Sequence, residues 1–497
     1  MKPSLCLLML VALPVVAEVV LSAIFTSNMV LQRDMPHPVW GTAAPGEQVT
    51  VTFAGQEKTA VAGQNGKWQV TLDPLTLDKE GGDLKISGPA NNVICQNVVV
   101  GDVWLCGGQS NMEMNFEARW GLINREKEMQ DAKFPLVRHI KIAHVCAELP
   151  DDTVKCDSAW QTCDSPENME KCTAVGYFFA RRVIRETDIP IGLLDDNWSA
   201  SRIEPFIPYK AFDANRAHLD GFVEKLDAAF VDTPQGKAYR RGPNDDKLLL
   251  ATIQYNQMIH PLTRLPIKGV LWYQGCTNAY ENKYHWLMKT MVEGWRQAWG
   301  YDFPFYYVQL SGLENHYSYF AYSGFASLRE QQRKALALIP NSAMVVTLDI
   351  GLVRDIHPKN KQDVGDRLAR IALARDYDKD IVWQGPTFRE MKIEGNKIRI
   401  FLDNAAGLKH AVKRGNGLNP PEPDKDRIAN FAIAGKDQSW YNASVAIEGE
   451  TLVVSCPYVP EPVAVRHAMI GYAYFPIGIY NGADLPLEPF RTDDWGL

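Results

Sequence analysis

From Gly101 to about residue 375, short apolar runs alternate with stretches of helical spacing, and this alternation constrains the fold more than any other feature of the chain. Val103-Trp104-Leu105-Cys106, Ile189-Pro190-Ile191-Gly192-Leu193-Leu194 and Lys268-Gly269-Val270-Leu271-Trp272-Tyr273 read as buried strands, as do 305–310 and 343–348. Between them, 173–185, 284–299, 328–338 and 362–374 carry apolar residues at helical spacing. Strands that are apolar on both faces and separated by helices form a mainly parallel sheet with helices packed against it, which is an α/β fold.

The flanks differ. Residues 18–100 hold short period-two runs, such as Gln48 to Phe53 and Trp68 to Leu72, punctuated by Ala44-Pro45-Gly46, Gly63-Gln64-Asn65-Gly66 and Gly81-Gly82. That pattern predicts a small β-sandwich. Beyond about residue 380, Lys397 to Leu402, Phe431 to Ala434 and Thr451 to Ser455 predict antiparallel β structure, either a third unit or an addition to the first. The organisation expected is a signal peptide over 1–17, a β-sandwich over 18–100, an α/β domain over 101–380 and a β-rich region over 381–497.

The first residues predict export. Lys2 precedes an apolar run from Leu5 to Val16, broken by Pro14, and Val15-Val16-Ala17 offers cleavage chemistry before Glu18. The run is short for a bilayer span, so no membrane span is expected after cleavage, and the protein is expected to be periplasmic, at the cell surface or secreted. An oxidising compartment permits disulfides, and Cys146, Cys156, Cys163 and Cys172 are the expected source of one or two. The formal charge of −7 and the lack of a basic run argue against nucleic acid as a partner. The histidines show no metal-ligand spacing, so neither metal nor cofactor is expected.

Ligands of open α/β sheets bind where strands end. The first strand runs into Gly107-Gly108-Gln109-Ser110-Asn111-Met112, where two glycines permit a sharp turn and Ser110 would open a helix with its hydroxyl exposed. Such a serine can be a nucleophile or a plain helix cap. Asp355-Ile356-His357-Pro358 lies between a strand and the next helix and offers a base with a nearby carboxylate, Asp355 or Asp349. Trp272-Tyr273-Gln274-Gly275-Cys276-Thr277-Asn278 ends another strand, and its Asn278 amide could donate to an oxyanion. Other candidates are weaker. Glu113 and Glu117 could form a glycosidase pair, Trp104, Trp198, Trp272 and Tyr273 could stack on sugars, and Arg202 and Arg354 could meet a carboxylate.

Taken in order, these segments resemble the SGNH hydrolase superfamily and, within it, the sialate O-acetylesterase family. The resemblance begins at Ile24-Phe25-Thr26-Ser27-Asn28-Met29 and runs through the Ser110 segment, Tyr255-Asn256-Gln257-Met258-Ile259-His260-Pro261-Leu262 and the Asp355 to Gln362 segment to Pro489-Phe490-Arg491-Thr492-Asp493. It implies a flavodoxin-like three-layer domain, Ser110 as nucleophile, His357 as base, and oxyanion donors from Ser110, Ser199 or Ala200, and Asn278 in a block with Gly275. The third member is Asp355, two residues before His357 where many superfamily members have three, or else the pair runs as a Ser–His dyad with a backbone or distant carboxylate partner. It implies an O-acetylated sugar as substrate, 9-O-acetylated sialic acid foremost. An acetylated plant polysaccharide, or a non-catalytic glycan-binding role, are the other readings. The chain departs from the family twice. Trp198-Ser199-Ala200-Ser201 stands where Trp-Gly-Gly-Thr is usual, and Cys276-Thr277 stands where Glu-Ser is usual.

Overall fold

A computed structural model describes residues 18–234, 236–239, 250–313, 324–352, 354–414, 417–426, 428–469 and 478–495. The expected signal segment, with Cys6, lies outside them.

The central sheet contains β1 (Asn92–Gly108), β2 (Phe134–Lys141), β3 (Gln161–Cys163), β4 (Ile191–Asn197), β5 (Gly269–Tyr273), β6 (Phe305–Val308) and β7 (Ser342–Val345). Their spatial order is β3-β2-β4-β1-β5-β6-β7. All neighbours pair in parallel except the edge strand β3, which is antiparallel to β2. The parallel α/β class expected from the alternation is therefore present. The sequence pattern does not reveal β2 and β3, because Pro135, Arg138 and His139 interrupt the apolar run of β2.

Five helices matter for the site: α1 (Ser110–Glu113), α2 (Ala174–Thr187), α3 (Tyr284–Trp299), α4 (Gly324–Ala335) and α5 (Lys361–Asp376). Their ends follow ordinary capping chemistry. The Thr173 hydroxyl accepts from the Gly176 N–H, the Asn360 side chain accepts from the Asp363 N–H, and Gly300 closes α3 in the left-handed region. Trp104 of β1 is fully buried and packs against Phe179 of α2 and Tyr306 of β6. Trp272 is level with Gly107 and so points from the other face, where it meets Phe206 and Trp295 of α3. Truncating either tryptophan to alanine removes about 3–5 kcal/mol of packing.

Strand β1 is 17 residues long and belongs to two units at once. Its first half pairs antiparallel with Asp78–Ser87, and its second half lies between β4 and β5. One continuous core reaches from Val19 to Tyr377. The buried Asp102 carboxylate receives both Arg33 and Gln32, which clamps the N-terminal β unit to the sheet. The tail, by contrast, pairs its strands only with one another and encloses its own core around Ile398, Ile433, Val454 and Phe490.

The eight described cysteines are free thiols, so the disulfides expected among Cys146, Cys156, Cys163 and Cys172 are not formed. Cys163 and Cys172 are both in the core, at the end of β3 and just ahead of α2, and Cys156 and Cys146 lie apart in the loop leading to them. No helix among the described residues is long and apolar enough to cross a membrane.

Candidate active site

Three parallel strands, β4, β1 and β5, end side by side at Asn197, Gly108 and Tyr273. The turn out of β1 needs glycine. Gly108 has φ of 136°, and a Cβ there would stand 2.3 Å from the Tyr273 carbonyl oxygen. The turn is tied down by the Gln109 N–H, which donates to Tyr273 O at 3.1 Å, and by the Gln109 side-chain oxygen, which accepts from the Gly275 N–H at 2.9 Å. Ser110 is thereby placed at the start of α1, where the first backbone N–H groups have no partners inside the helix.

The chain then brings His357 to Ser110. Its Nε2 lies 2.9 Å from Ser110 Oγ. Its Nδ1 faces Asp355 Oδ1 at 3.3 Å, and the same oxygen accepts the His357 backbone N–H at 2.9 Å. A carboxylate two residues before the histidine thus reaches the far ring nitrogen. The other candidate carboxylate, Asp349, is turned away and receives Arg367 through both guanidinium nitrogens and the Tyr480 hydroxyl. Burial holds the His357 imidazole below its usual pKa, and the positive charges of Lys361 and Lys359 add to this while Asp355 opposes it. Burial raises the Asp355 carboxyl, but the Lys359 ammonium and the His357 N–H outweigh it, so the net shift is downward.

The expected oxyanion donors Ser199, Ala200 and Asn278 lie in the turns that follow β4 and β5, and several are engaged by protein groups. The Ser199 N–H donates to Glu113 Oε2 at 2.6 Å. Ala200 sits at φ 63°, a left-handed conformation that costs a residue with a Cβ about 1–2 kcal/mol and that suits the glycine usual in the family. Asn278 is buried; its amide nitrogen donates to Glu204 Oε2 at 3.0 Å, and its oxygen accepts from Ile203 N and Gln274 Nε2.

The weaker candidates separate clearly. Glu113 holds the Ser199 turn, and Glu117 pairs with Arg119 and Lys171, so the two carboxylates do not face one another across a cleft. Trp104, Trp272 and Tyr273 are core residues. Trp198 is also in the core and stacks on His144, with ring centroids 4.9 Å apart. Arg202 is held by Glu204 and Glu281, whereas Arg354 is exposed on the His357 loop. Trp120, whose ring edge meets His357 with centroids 5.6 Å apart, escaped the sequence reading because it lies in a short 3₁₀ turn without periodic pattern.

One group of soft donors lies elsewhere. His139, Cys163 and Cys172 are buried with their ligand atoms within 4.8 Å of one another. They sit on the β2–β3 side of the sheet, away from the ends of β1 and β5.

The family described as carbohydrate esterase, sialic acid-specific acetylesterase matches residues 100–374. The sialate O-acetylesterase of Mus musculus is 31% identical over 422 residues, spanning 73% of this chain and 75% of the mouse protein. That of Homo sapiens is 30% identical over 412 residues, spanning 75% and 74%. Among solved structures, a carbohydrate acetylesterase from Xanthomonas citri superposes with a TM-score of 0.82 at 32% identity, over 96% of this chain and 100% of that one. The chain belongs to the sialic acid-specific acetylesterase family of carbohydrate esterases and is a carboxylic ester hydrolase.

Proposed function

We propose that this chain removes O-acetyl groups from sialic acid, free or on a glycan, with Ser110 as nucleophile and His357 as base. The observation that carries the reading is the 2.9 Å approach of His357 Nε2 to Ser110 Oγ at the carboxyl end of the central strand. Ser110 Oγ attacks the acetyl carbonyl while His357 takes its proton. The C–O bond to the sugar breaks, His357 returns the proton to the leaving hydroxyl, and acetyl-Ser110 remains. Water, activated by His357, then releases acetate. Asp355 orients the imidazole and offsets the charge it acquires.

The oxyanion is assigned to the Ser110 N–H, to the Ser199–Ala200 turn beside it, and to Asn278, whose amide has a second proton besides the one given to Glu204. Gly275 shapes that turn. Each donor is worth about 10²–10³ in rate. Arg354, exposed three residues before His357, is the cation available to the sialate carboxylate, because Arg202 is spent on two acids. The wider reading is an exported protein, periplasmic, at the cell surface or secreted. It has a β-sandwich over 18–100, a flavodoxin-like three-layer domain over 101–380 and a β-rich region over 381–497.

Hydrolysis of 9-O-acetyl sialate beside acetylated xylan tests the substrate. The sialate ester should be turned over faster by the wild type, and Ser110→Ala should lower turnover of either ester by several orders of magnitude. Preference for the xylan ester would replace the sialate assignment. Full activity of Ser110→Ala would end the nucleophile assignment.

A further inference from the structure

Lys361 has no part in the chemistry above, yet it is a charged residue with none of its surface exposed. It opens α5, a 16-residue helix, at the end where the backbone dipole disfavours a cation. Two unfavourable terms therefore meet at one side chain, burial and the helix end, and an apolar residue of similar length would avoid both. The ammonium group is directed at a defined partner. Nζ donates to Asn111 Oδ1 at 2.6 Å and lies 4.9 Å from the centre of the Tyr273 ring. The other face of the Asn111 amide donates to the Ile356 carbonyl at 2.8 Å. Asn111 follows Ser110 in the chain, and Ile356 precedes His357. One side chain thus bridges the segment that carries the nucleophile and the segment that carries the base, and Lys361 holds that side chain.

We propose that Lys361 is a positioning residue, whose buried ammonium locks the Asn111 amide onto the Ile356 carbonyl and so sets the distance between Ser110 and His357. This rests on the assignment of those two residues as nucleophile and base. The ammonium is faced by Asn111 from α1, by Tyr273 and Cys276 from the end of β5, and by Asp355 and Lys359 from its own loop. Burial lowers its pKa to about 7, with Lys359 acting in the same direction and Cys276 and Asp355 opposing. The ammonium form predominates below about pH 7, the side on which His357 takes up its proton. A positive charge there opposes a second one on the imidazole and favours its proton-accepting form.

The test is a pH–rate profile of kcat and kcat/KM for wild type, Lys361→Met, Lys361→Arg and Asn111→Leu, with thermal melting of each. Lys361→Met should melt no lower than wild type, lose about 10²-fold in kcat with little change in KM, and move the acid limb upward by about one unit. Asn111→Leu keeps the cation but breaks the bridge, so kcat should fall while the acid limb stays in place. Lys361→Arg should bring the limb back towards the wild-type position. A folded Lys361→Met or Asn111→Leu with wild-type kcat and an unmoved limb would overturn the proposal. Ser110→Ala run alongside distinguishes the two failures: turnover surviving in that variant would remove the base and nucleophile on which the positioning role depends.

Discussion

At the scale of single residues, the proposed site combines a half-buried imidazole, that of His357, with nearby cations. A general base acts when it has lost its proton, so lowering its pKa extends activity to lower pH. Because burial and Lys361 depress the His357 imidazole, the acid limb of kcat/KM should fall below the ordinary imidazole value of 6.5. A limb above that value would contradict the environment described for His357. Asp196 presents the opposite case. It is fully buried at the end of β4, neither carboxyl oxygen has a hydrogen-bond partner, and burial raises it to about 7 despite the attraction of Lys141. Folded chains keep that proton up to about pH 7, whereas unfolded chains release it near 3.8, so stability at this position is lost as pH rises through that window. Asp196→Asn should therefore stabilise the protein by about 2–4 kcal/mol at pH 8 and have little effect at pH 4. Denaturant unfolding at the two pH values measures this, and equal effects at both would show that the carboxylate is solvated.

At the scale of elements, the decisive piece is the turn from β1 into α1. It is short, it runs against the backbone of β5, and it fixes the direction of the Ser110 hydroxyl. Gly108→Ala would place a methyl group 2.3 Å from Tyr273 O at a φ that L-residues rarely adopt. The expected result is a loss of about 10²-fold or more in kcat together with a lower melting temperature, since the turn must move by a distance that disrupts attack geometry. Wild-type kcat in a folded Gly108→Ala would show that the turn tolerates rearrangement. The helix-capping residues and the alternation of apolar strands explain why the elements form. They do not explain the placement of β2, whose polar residues are satisfied by tertiary contacts: Arg138 donates to the Asn97 backbone carbonyl and side-chain oxygen, and His139 meets Asn168 O at 2.9 Å.

At the scale of the whole molecule, the N-terminal β unit and the central sheet share β1, which runs unbroken through residue 100. A cut there would sever β1 in its middle, take the buried Val98, Val99 and Val100 out of the continuous core, and remove Arg33 from the buried Asp102 carboxylate. Leaving one buried charge without its partner costs about 3–5 kcal/mol by itself, a large share of the net stability of a domain. A chain beginning at Gly101 should therefore be insoluble or unfolded, as read by solubility and circular dichroism. A cooperative melt and esterase activity in that chain would show that the shared strand is dispensable.

The local pattern of residues determined a great deal. Period-two runs marked strands in both flanking regions, the strand–helix alternation marked the parallel sheet, and three polar turns after apolar runs offered Ser110, Asn278 and His357 as candidates. These are legible because they depend on neighbours within a few positions. The tertiary structure alone decided the rest. It determined which carboxylate meets His357: Asp355 faces the ring, whereas Arg367 and Tyr480 claim Asp349. It turned the Ser199 N–H to Glu113, kept the described cysteines unpaired, and set Lys361 against the Asn111 amide that bonds Ile356. Each outcome depends on which distant groups compete for the same hydrogen bond or the same buried space, and that competition is settled only when the chain is packed.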